Sequence, residues 1–313
     1  MDHRNLALEF VRVTEAAAIE AAKWIGRGDK KAADKAAVDA MRSRLNIVDF
    51  SGTVVIGEGK KDEAPELYTG EKLGKAKEPT LDIAVDPLEC TDSVANGRYN
   101  ALSVIVTGTK GSLLHAPDTY MDQIAVGTEA KNVIDLDAPV KDNLTKIAKA
   151  LGKDIREVTA VILDRDRHAE LIQQVRAAGA RVRLITDGDV AGGIAPCIPE
   201  NPIDVLLGIG ASAEAVLAAA AIKTLGGEIL CRFKPKNEKD VAEIQEMGIT
   251  DLNKIYNSED LVKGDEATFT ATGVIEGPLL NGVTFTKKHI ITHSVVIRAH
   301  SGTIRYITTH HGV

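Results

Sequence analysis

Cysteines and aromatic residues are scarce in this chain, and each scarcity excludes a class of protein. Of the 313 residues only three are cysteines, and Cys90, Cys197 and Cys231 show no CxxC spacing. A disulfide framework or a structural zinc site is therefore not expected, and a reducing, cytoplasmic location fits best. Aromatic residues make up only 4% of the chain, so the core must consist mainly of Val, Ile, Leu and Ala.

Basic residues are too few for a nucleic-acid-binding surface, and long apolar runs are missing. The chain has 38 basic and 45 acidic residues and a net charge of −7, whereas nucleic-acid-binding domains normally carry a basic excess. The longest apolar run, Ala213 to Ile222, contains Glu214 and is too short to span a bilayer. The first ten residues carry charges and do not predict a signal peptide. We expect neither nucleic acid nor a membrane as a partner.

Hydrophobic periodicity predicts a layered α/β fold. The helical pattern has apolar residues three or four apart, and it occurs at 6–24, 32–45, 144–151, 168–178 and 213–225. Short β-branched runs predict strands at 52–57, 81–85, 101–106, 158–163, 181–185, 204–207, 267–272, 293–299 and 303–308. The alternation from residue 144 onwards predicts a largely parallel sheet. We expect two α/β subdomains, 1–155 and 156–313.

Acidic residues recur where predicted strands end. The positions are Glu58, Asp86, Glu89, Asp187, Asp189 and Glu214. Ligands of α/β proteins gather beyond the carboxyl ends of strands, and carboxylate oxygens suit Mg²⁺ or Mn²⁺. The joint pattern therefore predicts a divalent-cation site.

Each acidic motif also has a structural interpretation when it is taken alone. Gly57-Glu58-Gly59 is a common turn, and Asp187-Gly188-Asp189 is typical of an Asx turn or a helix cap. The run GIGASAE at 208–214 is similar to half of a dinucleotide fingerprint. It lacks the complete spacing and the first-strand position that nucleotide binding requires.

The segment from Asp86 to Thr91, DPLECT, is the most specific signal. It resembles the D-P-(I/L)-(D/E)-G-(T/S) motif of the lithium-sensitive, metal-dependent phosphatases, which include fructose-1,6-bisphosphatases and inositol monophosphatases. Further stretches resemble class II fructose-1,6-bisphosphatases of the GlpX type along nearly the whole chain. They include GRGDKKAAD at 26–34, VVIGEGKKDEAPELYTGEKLG at 54–74, HAPDTYM at 115–121 and DGDVA at 187–191.

The resemblance implies a fold, a reaction and an assembly. The fold would be an αβαβα sandwich of the sugar-phosphatase type. The reaction would be hydrolysis of the 1-phosphate of fructose 1,6-bisphosphate to fructose 6-phosphate, with Mn²⁺ or Mg²⁺ as cofactor. A homodimer or homotetramer would be the active assembly.

The resemblance also implies roles for individual residues. The implied metal ligands are Asp34, Glu58, Asp86, Glu89 and Glu214. The implied catalytic residues are Thr91, its acidic partner Asp62, and Lys30 beside the labile phosphate. The implied substrate contacts are Glu89, Cys90, Thr91, Tyr120, Arg165, Asp166, Arg167, Asp187, Gly188, Asp189 and Ala211.

The sequence departs from the family pattern at four places. Cys90 stands at the glycine of the Asp-Pro motif, and Ala211 stands at a glycine that contacts substrate. Lys60-Lys61 replaces Glu-Ile, and Arg165-Asp166-Arg167 replaces Lys-Pro-Arg. Three alternatives therefore stay open: a sedoheptulose 1,7-bisphosphatase, an inositol phosphatase, which the flanking stretches fit less well, and a catalytically weakened sugar-phosphate-binding protein.

Overall fold

The computed structural model describes residues 6–59 and 66–312, and these residues form nine α-helices and thirteen β-strands. The helices are α1 (Leu6–Ala22), α2 (Lys30–Leu45), α3 (Thr91–Asn96), α4 (Val140–Leu151), α5 (Ala169–Ala177), α6 (Asp189–Ile194), α7 (Ser212–Thr224), α8 (Glu238–Glu246) and α9 (Ser258–Leu261). The strands are β1 (Ser51–Ile56), β2 (Lys72–Leu73), β3 (Thr80–Glu89), β4 (Ala101–Thr109), β5 (Tyr120–Val126), β6 (Thr159–Leu163), β7 (Arg181–Ile185), β8 (Val205–Ala211), β9 (Glu228–Phe233), β10 (Thr268–Ile275), β11 (Thr284–Phe285), β12 (His289–Arg298) and β13 (Thr303–Gly312).

The chain divides into two compact units that do not follow the predicted halves 1–155 and 156–313. The first unit comprises Met1–Leu114 and Gly264–Val313, and the second comprises His115–Lys263. The C-terminal strands belong to the first unit because β10 pairs antiparallel with β4 along its length. Such long-range pairing leaves no signal in the local sequence.

The first unit contains an eight-stranded mixed sheet against which α1 and α2 pack. The strand order is β11-β12-β10-β4-β3-β1-β2, and β13 pairs with β12. Within this first sheet, β1 and β3 form the only parallel pair among the described residues. On α1, Phe10, Val13 and Ala17 lie three or four residues apart and are buried, and Phe10 makes an edge-to-face contact with Phe50 at 5.5 Å between ring centroids. Helix α2 begins after Asp29, whose side chain accepts the Ala32 N–H at 3.0 Å, as an N-cap residue does.

The second unit contains a five-stranded sheet of order β7-β6-β8-β5-β9. The predicted parallel arrangement is confirmed for β7, β6 and β8. Strands β5 and β9, which the periodicity did not predict, are antiparallel. Helices α4 and α5 contribute Leu144, Ile147 and Val175 to the core with Ile124 and Ile162 from the sheet.

These two units confirm the predicted layered α/β class. All three cysteines are among the described residues, and none of them is in a disulfide. Of the helices that the structure describes, none combines the length and apolar character needed to cross a bilayer.

A buried glutamate of the first unit, Glu71, fixes the chain around Leu67. Glu71 is only 5% exposed, and its Oε1 lies 2.7 Å from Arg42 Nε. The other oxygen, Oε2, accepts the N–H of the buried Leu67, and the Leu67 carbonyl in turn accepts the N–H of Glu58 at 3.0 Å. Glu71 therefore holds the backbone that supports a predicted metal ligand.

Glu71→Ala should destabilise the protein by about 3 kcal/mol, because it leaves the Arg42 guanidinium and the Leu67 N–H without their buried partner. Glu66 is a matched control, since it also faces Arg42, at 3.4 Å, but is more exposed. Glu66→Ala should cost less than about 1 kcal/mol. Urea unfolding measures both values, and equal losses in the two variants would contradict this role of Glu71.

Candidate active site

A β-bulge in β3 places Asp86 and Glu89 on the same face of the first sheet. In the pairing with β4, Asp86 lies opposite Val104 and Glu89 lies opposite Leu102, so three steps on β3 match two on β4. Side chains alternate along a strand, and residues three apart would otherwise point to opposite faces. The extra residue of the bulge turns Glu89 back to the face on which Asp86 lies. The strand predicted over 81–85 extends further than expected, through Pro87 to Glu89.

The turn after Asp86 is stabilised by its own side chain. The Oδ1 atom of Asp86 accepts the N–H of Leu88 at 3.1 Å, which spans Pro87 in the manner of an Asx turn. Asp86 is half-buried and Glu89 is only 3% exposed. A carboxylate this deeply buried is unfavourable unless an opposite charge or hydrogen bonds compensate it.

Cys90 adopts a left-handed backbone conformation immediately before Thr91. Its φ is 79° and its ψ is 49°, and it caps the start of α3. This is the conformation that glycine adopts without strain, and here a cysteine occupies it. Thr91 is the first residue of α3 and is half-buried.

Lys30 lies beside the helix that Thr91 begins. Its Nζ is 3.4 Å from Asp92 Oδ1, and both side chains are exposed. The chain before α2 is attached to α3 by the Gly26 N–H, which donates to Val94 O at 2.9 Å. The fold thus brings Lys30 near Thr91, but its ammonium group is paired with the neighbouring aspartate.

Asp34 comes close enough to Glu58 to raise the pKa of the Glu58 carboxyl group. Asp34 lies on α2, and burial raises the pKa of its carboxyl group. Glu58 follows β1, and burial, assisted by the negative charge of Asp34, raises the pKa of Glu58 to about 7. Glycine is required at position 57, directly before Glu58, because a Cβ there would lie 2.0 Å from the backbone oxygen of Leu67.

The second unit places Glu214 at the start of α7 with a buried oxygen. Its Oε2 is inaccessible and has no hydrogen-bond partner in the described part of the chain. Burial raises the pKa of Glu214, and the negative charges of Asp189, Asp118 and Asp187 raise it further. A carboxylate oxygen buried among other carboxylates is suited to accept a cation.

Asp189 is also buried, and glycine makes room for it. Burial raises its pKa, while its Oδ2 accepts a hydrogen bond from Gln123 Nε2 at 3.2 Å. A Cβ at Gly210 would lie 2.0 Å from that oxygen and 2.1 Å from Gln123 Nε2. A side chain at position 210 would therefore have to displace this hydrogen-bonded pair.

Two of the predicted substrate contacts of the second unit, Arg167 and Ala211, lie beside Tyr120. Antiparallel pairing of β5 and β8 places Tyr120 opposite Ala211. Arg167 lies over the Tyr120 ring, 4.5 Å from its centroid, and donates to Ile209 O at 2.9 Å. Arg165 instead forms an ion pair of 2.9 Å with Asp187. Asp166, between the two arginines, is exposed, and Gly188 takes a left-handed conformation before α6.

His168 holds the arginine turn against β8, a role that the sequence did not reveal. Its Nδ1 lies 2.8 Å from Leu163 O, and its Nε2 accepts the Ile209 N–H at 2.8 Å. The Nε2 atom must be unprotonated to accept, so the ring is neutral with its proton on Nδ1. Burial lowers the pKa of His168, in agreement with a neutral ring. A histidine directly after Arg167 was the only signal for it.

The predicted carboxylates form pairs in the first unit and a separate group in the second. Across 6–59 and 66–312, no three His, Cys, Asp or Glu side chains lie close enough together to hold a metal ion. Asp62 and the Lys60-Lys61 departure lie outside the described residues. The set of five metal ligands therefore stays a prediction. Its members fit a cation chemically, because Glu58 and Glu214 are held in surroundings that disfavour their charge.

Comparison with known proteins gives a match over almost the entire chain. Residues 4–311 match the family model described as "Bacterial fructose-1,6-bisphosphatase, glpX-encoded". The class 2 fructose-1,6-bisphosphatase of Haemophilus influenzae is 44% identical, and the alignment covers 99% of this chain and 96% of that protein. The fructose-1,6-bisphosphatase 1 class 2 of Escherichia coli strain K12 is 45% identical, with coverage of 98% and 95%.

The chain belongs to the class 2 fructose-1,6-bisphosphatase family. The resemblance inferred from DPLECT and its flanking stretches is thereby confirmed.

Ala211 and Cys90, two of the departures from the family pattern, differ in the backbone strain that they cause. Ala211 has φ −84° and ψ 157°, a conformation that any residue adopts, so alanine causes no backbone strain there. Cys90 keeps a positive φ and carries a Cβ. In this bisphosphatase family member, strain is therefore located at residue 90 and not at 211.

Cys90→Gly should be more stable than Cys90→Ala by about 1 kcal/mol, because alanine keeps a Cβ in the left-handed region and glycine does not. Both variants lose the buried sulfur, so the comparison isolates the backbone. Urea unfolding of the two variants measures the difference. A Cys90→Ala variant at least as stable as Cys90→Gly would show that no strain is present.

His168 should make the stability of the protein fall in mildly acidic solution. Its pKa is lowered in the folded state, so its stabilising contribution is complete above the unfolded value of about 6.5. That contribution is lost as the pH falls from there towards the lower folded pKa. Thermal unfolding between pH 8 and pH 5 should show a shallower loss in His168→Asn than in the wild type. The exposed His115 in the same unit supplies the control, and His115→Asn should keep the wild-type slope.

Proposed function

We propose that this protein hydrolyses the 1-phosphate of fructose 1,6-bisphosphate to give fructose 6-phosphate and phosphate. The observation that carries the proposal is the match of nearly the whole chain to fructose-1,6-bisphosphatases of class 2. The DPLECT segment supports it, because its two carboxylates share one face of the sheet and lead directly to Thr91.

The cofactor of this reaction is a divalent cation, and we propose Mn²⁺ or Mg²⁺. The residues that would hold it are Asp34, Glu58, Asp86, Glu89 and Glu214. Their oxygens are ligands that these hard cations prefer. When bound, such an ion polarises a phosphate oxygen and helps to activate the attacking water.

Thr91 and Asp62 provide the acid–base chemistry in this proposal. The Thr91 hydroxyl lies two residues after Glu89, at the end of the bulged strand, and orients the nucleophile. Asp62 accepts the proton. Lys30 lies beside α3, where its ammonium group is paired with Asp92. In this proposal the ammonium group leaves Asp92 and binds an oxygen of the labile phosphate instead. Glu89 and Cys90 complete the contacts at this end of the substrate.

The other implied substrate contacts are residues of the second unit, and each has a chemical role in this proposal. Asp187 and Asp189 accept hydrogen bonds from sugar hydroxyl groups, while Gly188 and Ala211 allow the sugar to approach the backbone. Tyr120 and the arginine turn at 165–167 bind the distal phosphate, for which a guanidinium group offers bidentate geometry. The predicted homodimer or homotetramer and the cytoplasmic location stay predictions.

Phosphate release from fructose 1,6-bisphosphate should require Mg²⁺ or Mn²⁺ and should stop in excess chelator.

Thr91→Ala should lower kcat by about 100-fold or more, as loss of an acid–base group does. Glu214→Gln should abolish activity and yet preserve or raise the melting temperature in metal-free buffer, because it removes a buried charge.

The exposed Glu246 at the end of α8 gives a matched control, and Glu246→Gln should leave activity unchanged. Full activity in chelator would contradict the metal-dependent mechanism. A higher kcat/KM for sedoheptulose 1,7-bisphosphate would assign the same chemistry to the longer sugar. Tight binding of the bisphosphate without turnover in either metal would identify a binding protein instead of an enzyme.

A further inference from the structure

A second cation lies over the Tyr120 ring. Lys236 Nζ is 3.8 Å from the ring centroid, and Arg167 Cζ is 4.5 Å from it. The strand pairing explains the meeting: Tyr120 begins β5, and Lys236 follows β9, which pairs with β5. A backbone hydrogen bond of 2.8 Å from Lys234 N–H to Tyr120 O extends this pairing toward Lys236.

The position of Lys236 is fixed by its backbone. Its N–H donates to Asp240 Oδ2 at 2.8 Å, and the same oxygen accepts the hydroxyl of Thr119 at 3.4 Å. Asp240 itself is held at the first turn of α8 by the Asn237 cap. Asp240 thus connects Lys236 to the residue that precedes Tyr120.

The cations of this region fall into two classes. Arg165 is paired with Asp187 at 2.9 Å, and Lys234 is paired with Asp122 at 3.5 Å. By contrast, within the part of the chain that the structure describes, neither Arg167 nor Lys236 forms an ion pair with an acidic side chain. Their two positive charges share one phenol ring, whose hydroxyl lies 3.4 Å from Arg167 Nη1.

We propose that Lys236 is a specificity-determining residue that binds the distal phosphate of the sugar bisphosphate together with Arg167 and the Tyr120 hydroxyl. This inference rests on the proposed function and adds a residue outside the arginine turn. A phosphate monoester carries nearly two negative charges near neutral pH. Arg167 offers planar, forked donors, and Lys236 offers a compact point charge. Two cations without carboxylate partners match a dianion, whereas Arg165 is already neutralised by Asp187.

The test compares Lys236→Met with Lys234→Met in the full chain, with Mg²⁺ or Mn²⁺ present. Loss of one charge-assisted contact to the phosphate should raise KM for fructose 1,6-bisphosphate by about ten-fold, with kcat within about two-fold. The inhibition constant of fructose 6-phosphate, which retains the distal phosphate, should rise by the same factor. Inhibition by inorganic phosphate at the hydrolytic site should not change.

Lys234→Met is the matched control, because Lys234 lies two residues earlier and its charge is paired with Asp122. It should keep the wild-type KM. Lys236→Arg, which retains the charge, should restore most of the affinity. An unchanged KM in Lys236→Met, or equal changes in the two methionine variants, would overturn the role of Lys236.

The two proposals fail in distinguishable ways. If the wild type releases phosphate and only the prediction for Lys236→Met fails, the inference about Lys236 is wrong and the proposed function stands. If the wild type does not hydrolyse fructose 1,6-bisphosphate with either metal, the proposed function is wrong.

Discussion

Side chains of a β-strand alternate between two faces, and this constraint governs the candidate active site of the first unit. Asp86 and Glu89 are three residues apart, so a regular strand would separate them by the thickness of the sheet. The extra residue at Pro87 and Leu88 changes the register against β4 and turns both carboxylates to one face. Thr91 and the left-handed Cys90 follow from the same strand end. The geometry of the motif thus depends on the β-bulge in β3, which is recognised from the register shift against β4.

Burial of negative charge is the second physical theme of the molecule. Glu58 lies near Asp34, and Glu214 lies near Asp187 and Asp189. In each unit, burial and the charge of a neighbouring carboxylate raise the pKa of the glutamate. Elsewhere in the same units, carboxylates are paired with cations, as in Glu71 with Arg42. The contrast matters because perturbed groups with a stated physical cause cluster at functional sites. These carboxylates are the groups whose charge a divalent cation would stabilise.

Two uncharged side chains, His168 and Tyr120, help to position the cations Arg167 and Lys236 in the second unit. His168 bonds to two backbone groups, one at the last residue of β6 and one in β8, and so holds the turn that carries Arg167. Gly208, with φ 140°, lies against the His168 ring, where a Cβ would come within 3.0 Å of Nε2. Arg167, which follows β6, and Lys236, which follows β9, both lie over the Tyr120 ring. A rigid arrangement of this kind limits the reorganisation needed when an anion binds.

The sequence by itself identified the family of this protein. Asp86, Glu89 and Thr91 were recognisable in the DPLECT motif, and the helices α1 and α2 were evident from apolar residues three or four apart, because both signals lie within a few consecutive residues. Three features were decided by tertiary structure alone. Strand β10 pairs with β4 in the first sheet, the bulge places Asp86 and Glu89 on one face, and Lys236 lies over the Tyr120 ring. These features arise from pairing between residues that are distant in the chain, and the free energy of such pairing depends on packing that no local pattern encodes.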